Sequence, residues 1–146
     1  MKHIIVVVLL VSGLMPAARA DESAAVRQLA EQGDTKAQFV LGSMYRDGRG
    51  VAKDLDEMIR WWRMAAEGHN VDAQFALGNV YSGGSGVAKD YVLAYMWFDI
   101  LAAQEAQEFI GKIAASNRNA LKSFMTADEI AKAGQLSADW QSKHAK

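Results

Sequence analysis

The chain has 146 residues, 16 of them basic and 17 acidic for a formal charge of −1, with 51% hydrophobic residues and no cysteine. This length predicts one domain of ordinary size, and the near balance of charge gives no electrostatic reason to expect nucleic acid or an anionic membrane surface as a partner. The lack of thiols excludes disulfides, thiolate metal centres, cysteine nucleophiles and redox pairs, so the fold must stand on its apolar core.

Residues 1–20 differ in kind from the rest. Lys2 and His3 open a short positive start, and Ile4 to Leu14 form an apolar run too short for the ~20 residues that span a bilayer. Met15-Pro16 ends the run, Ala18-Arg19-Ala20 places small residues where a signal peptidase reads, and Asp21-Glu22 begins a polar segment. The expectation is a cleaved signal peptide over 1–20 and a mature domain over 21–146, exported to the periplasm or beyond in a bacterium and not inserted in the membrane after cleavage. Without Lys2 and Arg19 the mature part carries a formal charge of −3. No cysteine follows the apolar run, so a lipid anchor is not expected.

Comparison of the chain with itself reveals a repeat. Ala37-Gln38-Phe39-Val40-Leu41-Gly42-Ser43-Met44-Tyr45 returns, 36 residues later, as Ala73-Gln74-Phe75-Ala76-Leu77-Gly78-Asn79-Val80-Tyr81. At the same spacing Gly48-Arg49-Gly50-Val51-Ala52-Lys53-Asp54 becomes Gly84-Ser85-Gly86-Val87-Ala88-Lys89-Asp90, and Trp61-Trp62 becomes Trp97-Phe98. Each unit reads as helix, glycine loop, helix. Ala37, Leu41 and Tyr45, like Ala73, Leu77 and Tyr81, make one apolar stripe on the first helix. Met58, Trp61, Trp62, Ala65 and Ala66, and then Ala94, Trp97, Phe98, Leu101 and Ala102, make a broader one on the second. Asp54 stands at an N-cap with Glu57 placed to complete a capping box, and Asp90 is the equivalent cap. Gly42 and Gly78 fall inside first helices, where glycine costs about 1 kcal/mol relative to alanine; the same residue at the same repeat position implies that a paired helix approaches too closely for a Cβ.

The rest of the chain also reads as helical. Ala24, Ala25, Leu29 and Ala30 predict a leading helix over 21–34, followed by repeat 1 over 35–70 and repeat 2 over 71–104. In 105–146, Ile110, Ile113, Ala114, Leu121 and Met125 form one stripe. Thr126 with Glu129 makes a capping box that starts a helix through Ile130, Ala133, Leu136 and Trp140. Two divergent helices at the end of a repeat array predict a cap over its last apolar face.

The pattern Ala-x-Phe-x-Leu-Gly-x-x-Tyr-x-x-Gly-x-Gly-Val-x-x-Asp, followed by Trp and Ala-Ala, resembles the Sel1-like repeat over Thr35 to Ala103. The tail is similar to that of bacterial Sel1-like proteins in Tyr95, Trp97, Phe98, Met125, Thr126, Ile130 and Trp140. The resemblance implies an all-α, tetratricopeptide-like short α-solenoid of antiparallel helix hairpins with a C-terminal capping helix pair. The chain departs from the family at Ala52 and Ala88, where many members carry proline, and in lacking the cysteines of the best-studied secreted members.

No motif for catalysis emerges. Gly83-Gly84-Ser85-Gly86-Val87-Ala88-Lys89 has glycines like a nucleotide loop, but it follows a helix and lacks the Gly-Lys-Ser/Thr ending, so it reads as a turn. His69 and His144 form no His-x-x-x-His pair, and no metal or cofactor is expected. The acids read as caps and solvated faces; Glu105 and Glu108 are placed at a helix start, where the dipole favours negative charge. Trp61, Trp62, Tyr95, Trp97 and Phe98 read as core rather than a glycan platform, with Tyr95 alone expected to be open to solvent.

The expected function is a non-catalytic, monomeric interaction module, an adaptor or scaffold that binds a protein or peptide. Its candidate binding residues are those of the first helices outside the apolar stripe: Lys36, Phe39, Ser43 and Arg46, with their equivalents Asp72, Phe75, Asn79 and Ser82, on the side that repeat arrays of this kind present as a concave surface. The resemblance also implies one alternative, an envelope enzyme acting on peptidoglycan or a β-lactam; a further alternative, an immunity or inhibitor protein against a toxin in the same compartment, is a form of the binding reading. Intact-mass measurement of the exported protein is expected to show a chain beginning at Asp21; a mass retaining Met1 to Ala20 overturns the localisation.

Overall fold

A computed structural model of the protein describes residues 2–104 and 107–145, with side chains from residue 17 onward. The described residues form seven α-helices and no strand: α1 (Lys2–Glu31), α2 (Thr35–Asp47), α3 (Leu55–Glu67), α4 (Val71–Gly83), α5 (Tyr91–Ala102), α6 (Glu108–Leu121) and α7 (Ala127–His144). They fall into two compact units, Met1–Gly68 and His69–Lys146. Among the described residues no helix is long and apolar enough to cross a membrane.

In the first unit α2 packs on both α1 and α3. Ala30, Ala37, Leu41, Met44 and Trp61 form a buried cluster, with Val26, Tyr45 and Val51 packed against it. The Asp34 side chain caps α2 by accepting from the Ala37 N–H, and Gly48, at φ 66°, ends it by donating to the Met44 carbonyl. Asp54 caps α3, accepting from the N–H groups of Asp56 and Glu57. The reciprocal half of the expected capping box is absent. The Asp54 N–H instead donates to the Tyr45 carbonyl at 3.0 Å, and the Glu57 carboxylate accepts from Arg60 at 2.7 Å and from the Trp61 indole at 3.1 Å. A backbone donor already used across the loop leaves the acid free to serve its own helix. Helix α1 is tied to the same loop: the Ser23 hydroxyl reaches the Gly50 carbonyl at 3.0 Å, and Arg27 donates to the Tyr45 hydroxyl at 2.6 Å.

The second unit repeats the hairpin with α4 and α5, capped by Asn70 and Asp90. The Asp90 N–H again closes the loop, on the Tyr81 carbonyl at 2.9 Å. Helices α6 and α7 each pack on α5, so the C-terminal helices cover that helix from two directions. Thr126 and Glu129 form the expected capping box at the start of α7, and Trp140 of α7 meets Trp97 edge-on, with ring centroids 6.1 Å apart. Two expectations need correction here. Ile113 lies on the solvent side of α6, 37% exposed, because Gly111, Ala114 and Leu121 take the inward face. Tyr95 is buried rather than open, because Arg118 of α6 lies over its ring at 6.0 Å and pairs with Asp99 at 2.6 Å. Glu105, expected at the start of α6, lies outside the described residues.

The helix glycines have the expected packing cause. A Cβ on Gly42 would collide with the Trp62 ring of α3, and one on Gly78 would lie 2.5 Å from the Phe98 ring of α5. Gly134 in α7 has nothing within 4 Å of such an atom. Gly42→Ala and Gly78→Ala are therefore expected to destabilise by about 1–3 kcal/mol through overpacking, whereas Gly134→Ala should stabilise by up to about 1 kcal/mol through helix propensity. Denaturant titration of the three variants checks the difference in sign.

Candidate binding faces of the two repeats

Lys36, Phe39, Ser43 and Arg46 advance along α2 by three, four and three residues, which places them on one stripe of the helix. Lys36 and Arg46 are exposed, and Phe39 and Ser43 are half-buried. The Phe39 ring stacks on Trp62 at 5.6 Å, 27° from parallel, and the Arg46 guanidinium lies 5.7 Å from the centre of the same indole. Asp47 holds Arg46 through two hydrogen bonds of 2.7 and 3.0 Å, which raises the arginine's pKa and lowers that of the aspartate. The Ser43 hydroxyl is spent on the Phe39 carbonyl at 3.0 Å, an oxygen that also accepts the Trp62 indole N–H at 3.1 Å. The stripe is thus a tryptophan with an aromatic ring and a cation arranged around it.

In the second unit Asp72 and Asn79 are exposed, and Phe75 and Ser82 are half-buried. Phe75 meets Phe98 edge-on at 5.9 Å. Asn79 and Ser82 line a cavity of about 240 Å³ together with Phe98 and with Asn117, Ala120 and Leu121 of α6. Asp72 lines a different one, of about 460 Å³, with Phe109 and Ile110. The two ends of this stripe therefore face separate hollows. Sequence reasoning missed the contribution of α6, whose residues do not follow the repeat.

It also missed a groove in the first unit, of about 610 Å³, lined by Gln38 and by Ile59, Arg60, Arg63 and Met64 of α3 among others. The available signal was a polar residue, Gln38 and again Gln74, recurring inside an otherwise apolar pattern. A third surprise is at His69, whose ring centroid lies 5.3 Å from that of Trp140 and 5.6 Å from that of His144. Among the described residues no three metal-ligating side chains come together.

The family model for the Sel1 repeat matches residues 35–70 and again 71–105. The chain carries two Sel1 repeats. Such repeats generally serve as protein–protein interaction modules. Among solved structures the chain is similar to c5321, a protective antigen of uropathogenic Escherichia coli strains displaying an SLR fold, with 32% identity and a TM-score of 0.72 over 89% of this chain and 30% of that one. It is also similar to a Sel1 repeat protein of Oxalobacter formigenes, with 28% identity and a TM-score of 0.61 over 86% of this chain and 50% of that one. The chain thus spans half or less of the length of either neighbour. No curated protein matches it.

The Sel1 aromatics are structural here. Trp61, Trp62 and Trp97 are each 3% exposed and Phe98 is 1% exposed, which leaves no open ring face of the kind that stacks on a sugar. Trp61→Ala or Trp97→Ala is expected to destabilise by ~3–5 kcal/mol, since the neighbours cannot fill the cavity; a near-neutral effect in denaturant melts would return these rings to the surface.

Proposed function

We propose that this Sel1-repeat protein is an exported, non-catalytic interaction module that binds a protein or peptide through the first-helix faces of its repeats. The observation that carries the reading is the division of labour on α2 and α4. The identical pairs Ala37/Ala73, Leu41/Leu77 and Gly42/Gly78 are buried, while the unlike pairs Lys36/Asp72, Ser43/Asn79 and Arg46/Ser82 stay at least partly exposed; Phe39 and Phe75, identical and half-buried, rest on Trp62 and Phe98. Packing within each hairpin favours the same residue at the buried positions, whereas contact with a ligand does not. In the second unit Asn79 and Ser82 already border a hollow able to take a side chain.

Export is supported by what cleavage after Ala20 would leave. Asp21 and Glu22 would then open the leading helix, where negative charge is favoured by the helix dipole, and the bond from Ser23 to the Gly50 carbonyl would survive.

The test is capture of the partner from the envelope fraction by the mature chain, followed by its return as a purified ligand. Arg46→Ala combined with Asn79→Ala is expected to weaken binding about tenfold or more while shifting folding stability by no more than about 0.5 kcal/mol, as exposed polar substitutions usually do. Lys132→Ala combined with Ser142→Ala, both exposed on α7, should leave binding unchanged. Loss of binding in the α7 pair with retention in the first-helix pair moves the site away from these faces.

A further inference from the structure

The groove on α3 has a feature that packing alone does not explain. Gln38 is 5% exposed; its amide nitrogen donates to the Ala30 carbonyl at 3.1 Å, and its Oε1 has no hydrogen-bond partner. A buried acceptor left unsatisfied is destabilising, and the Gln38 residue that carries it lines an open groove. The repeat shows how such an acceptor is satisfied. In the second unit the equivalent Gln74 is fully buried, and its Oε1 accepts from the Gln104 carboxamide at 2.6 Å. The first-unit equivalent of Gln104 is Gly68, which has no side chain to offer.

Charge along the groove follows the same comparison. On α5 the residue equivalent to Arg63 is Asp99, and it meets Arg118 of α6. On α3 the sign is reversed. Arg60 is already held by Glu57 at 2.7 Å, which leaves Arg63, exposed and without an ion pair among the described residues, as the cation offered to a ligand. Asp56 and Glu67 stand in the first and last turns of α3 and also line the groove, confining a complementary acid to the middle of the helix. Ile59 and Met64, the latter 42% exposed, supply the apolar floor; their equivalents on α5, Tyr95 and Ile100, are buried.

We propose that this groove is a second docking surface, distinct from the first-helix faces, for a partner polypeptide that presents a carboxylate to Arg63, an N–H donor to Gln38 and an apolar side chain to Ile59 and Met64. The proposal rests on the reading of the protein as a binding module and names a different surface and the chemistry of what it takes.

The probe is a library of short random peptides displayed on phage and selected against the full chain. Selected peptides are expected to carry Asp or Glu beside an aliphatic residue. Arg63→Glu should weaken them about tenfold or more, and affinity should return when the peptide's acid is replaced by lysine. Gly68→Gln, made together with Thr35→Ser because a Cβ at position 68 would collide with the Thr35 methyl, supplies the missing carboxamide within the chain and should weaken the same peptides. Should that variant fail to fold, Gln38→Leu removes the acceptor instead and should have the same effect. Peptides without an acid, or peptides that bind Arg63→Glu as well as the parent, overturn the groove. Peptides that lose affinity only with Arg46→Ala and Asn79→Ala overturn the groove and leave the proposed function standing, whereas selection of no peptide at all tells against both.

Discussion

Each repeat is organised around an atom that is missing. The lack of a Cβ at Gly42 and Gly78 lets a ring from the second helix lie directly on the backbone of the first, and much else in the hairpin is set by that approach. In the first unit the gap brings the Trp62 indole N–H to the Phe39 carbonyl, satisfying a polar group that would otherwise be buried without a partner. It also fixes the plane on which the Phe39 ring stacks and over which Arg46 lies. In the second unit phenylalanine takes the same place without a donor to offer, and the adjoining hollow by Asn79 and Ser82 is bordered by its ring. One glycine thus serves both the core and the surface that the core supports.

Most of the fold could be read from the chain because its determinants are local or repeated. Caps at Asp54, Asp90 and Thr126 need only a side chain within three residues of the N–H it accepts. The packing role of Gly42 and Gly78 was legible from recurrence alone, since a destabilising residue used twice at one position needs a cause. What could not be read depends on partners distant in sequence. Glu57 turns from its expected backbone donor, the Asp54 N–H, to Arg60 and Trp61 because the carbonyl of Tyr45, nine residues before Asp54, has taken that donor. Tyr95 is covered because Arg118 arrives from a helix that follows no repeat.

The candidate surfaces divide along the same line. The exposed positions of α2 and α4 follow from helical periodicity, and the structure places them as that periodicity requires. The hollow beside Asn79 and Ser82 needed Asn117 and Leu121, which belong to α6. The groove on α3 was hidden for a different reason. Gln38 recurs as Gln74, which marks it as structural, and only the contrast between Gly68 and Gln104 shows that one copy is complete and the other is not.

The closure of the glycine loops carries a consequence for how this chain tolerates change. In both repeats the capping aspartate donates its own N–H to the carbonyl of the tyrosine at the end of the preceding helix. Gly48 and Gly84, both in left-handed geometry, seal the other side. A connection fastened at both ends and threaded through positive φ behaves as a clip of fixed gauge: adding a residue would unfasten the carbonyl, the cap or both. Surface loops elsewhere accept insertions readily, but these two do not have that freedom. Diversification of a chain built this way is channelled onto helix faces, where a side chain can be exchanged without altering the length of anything, or into the gain and loss of whole repeats.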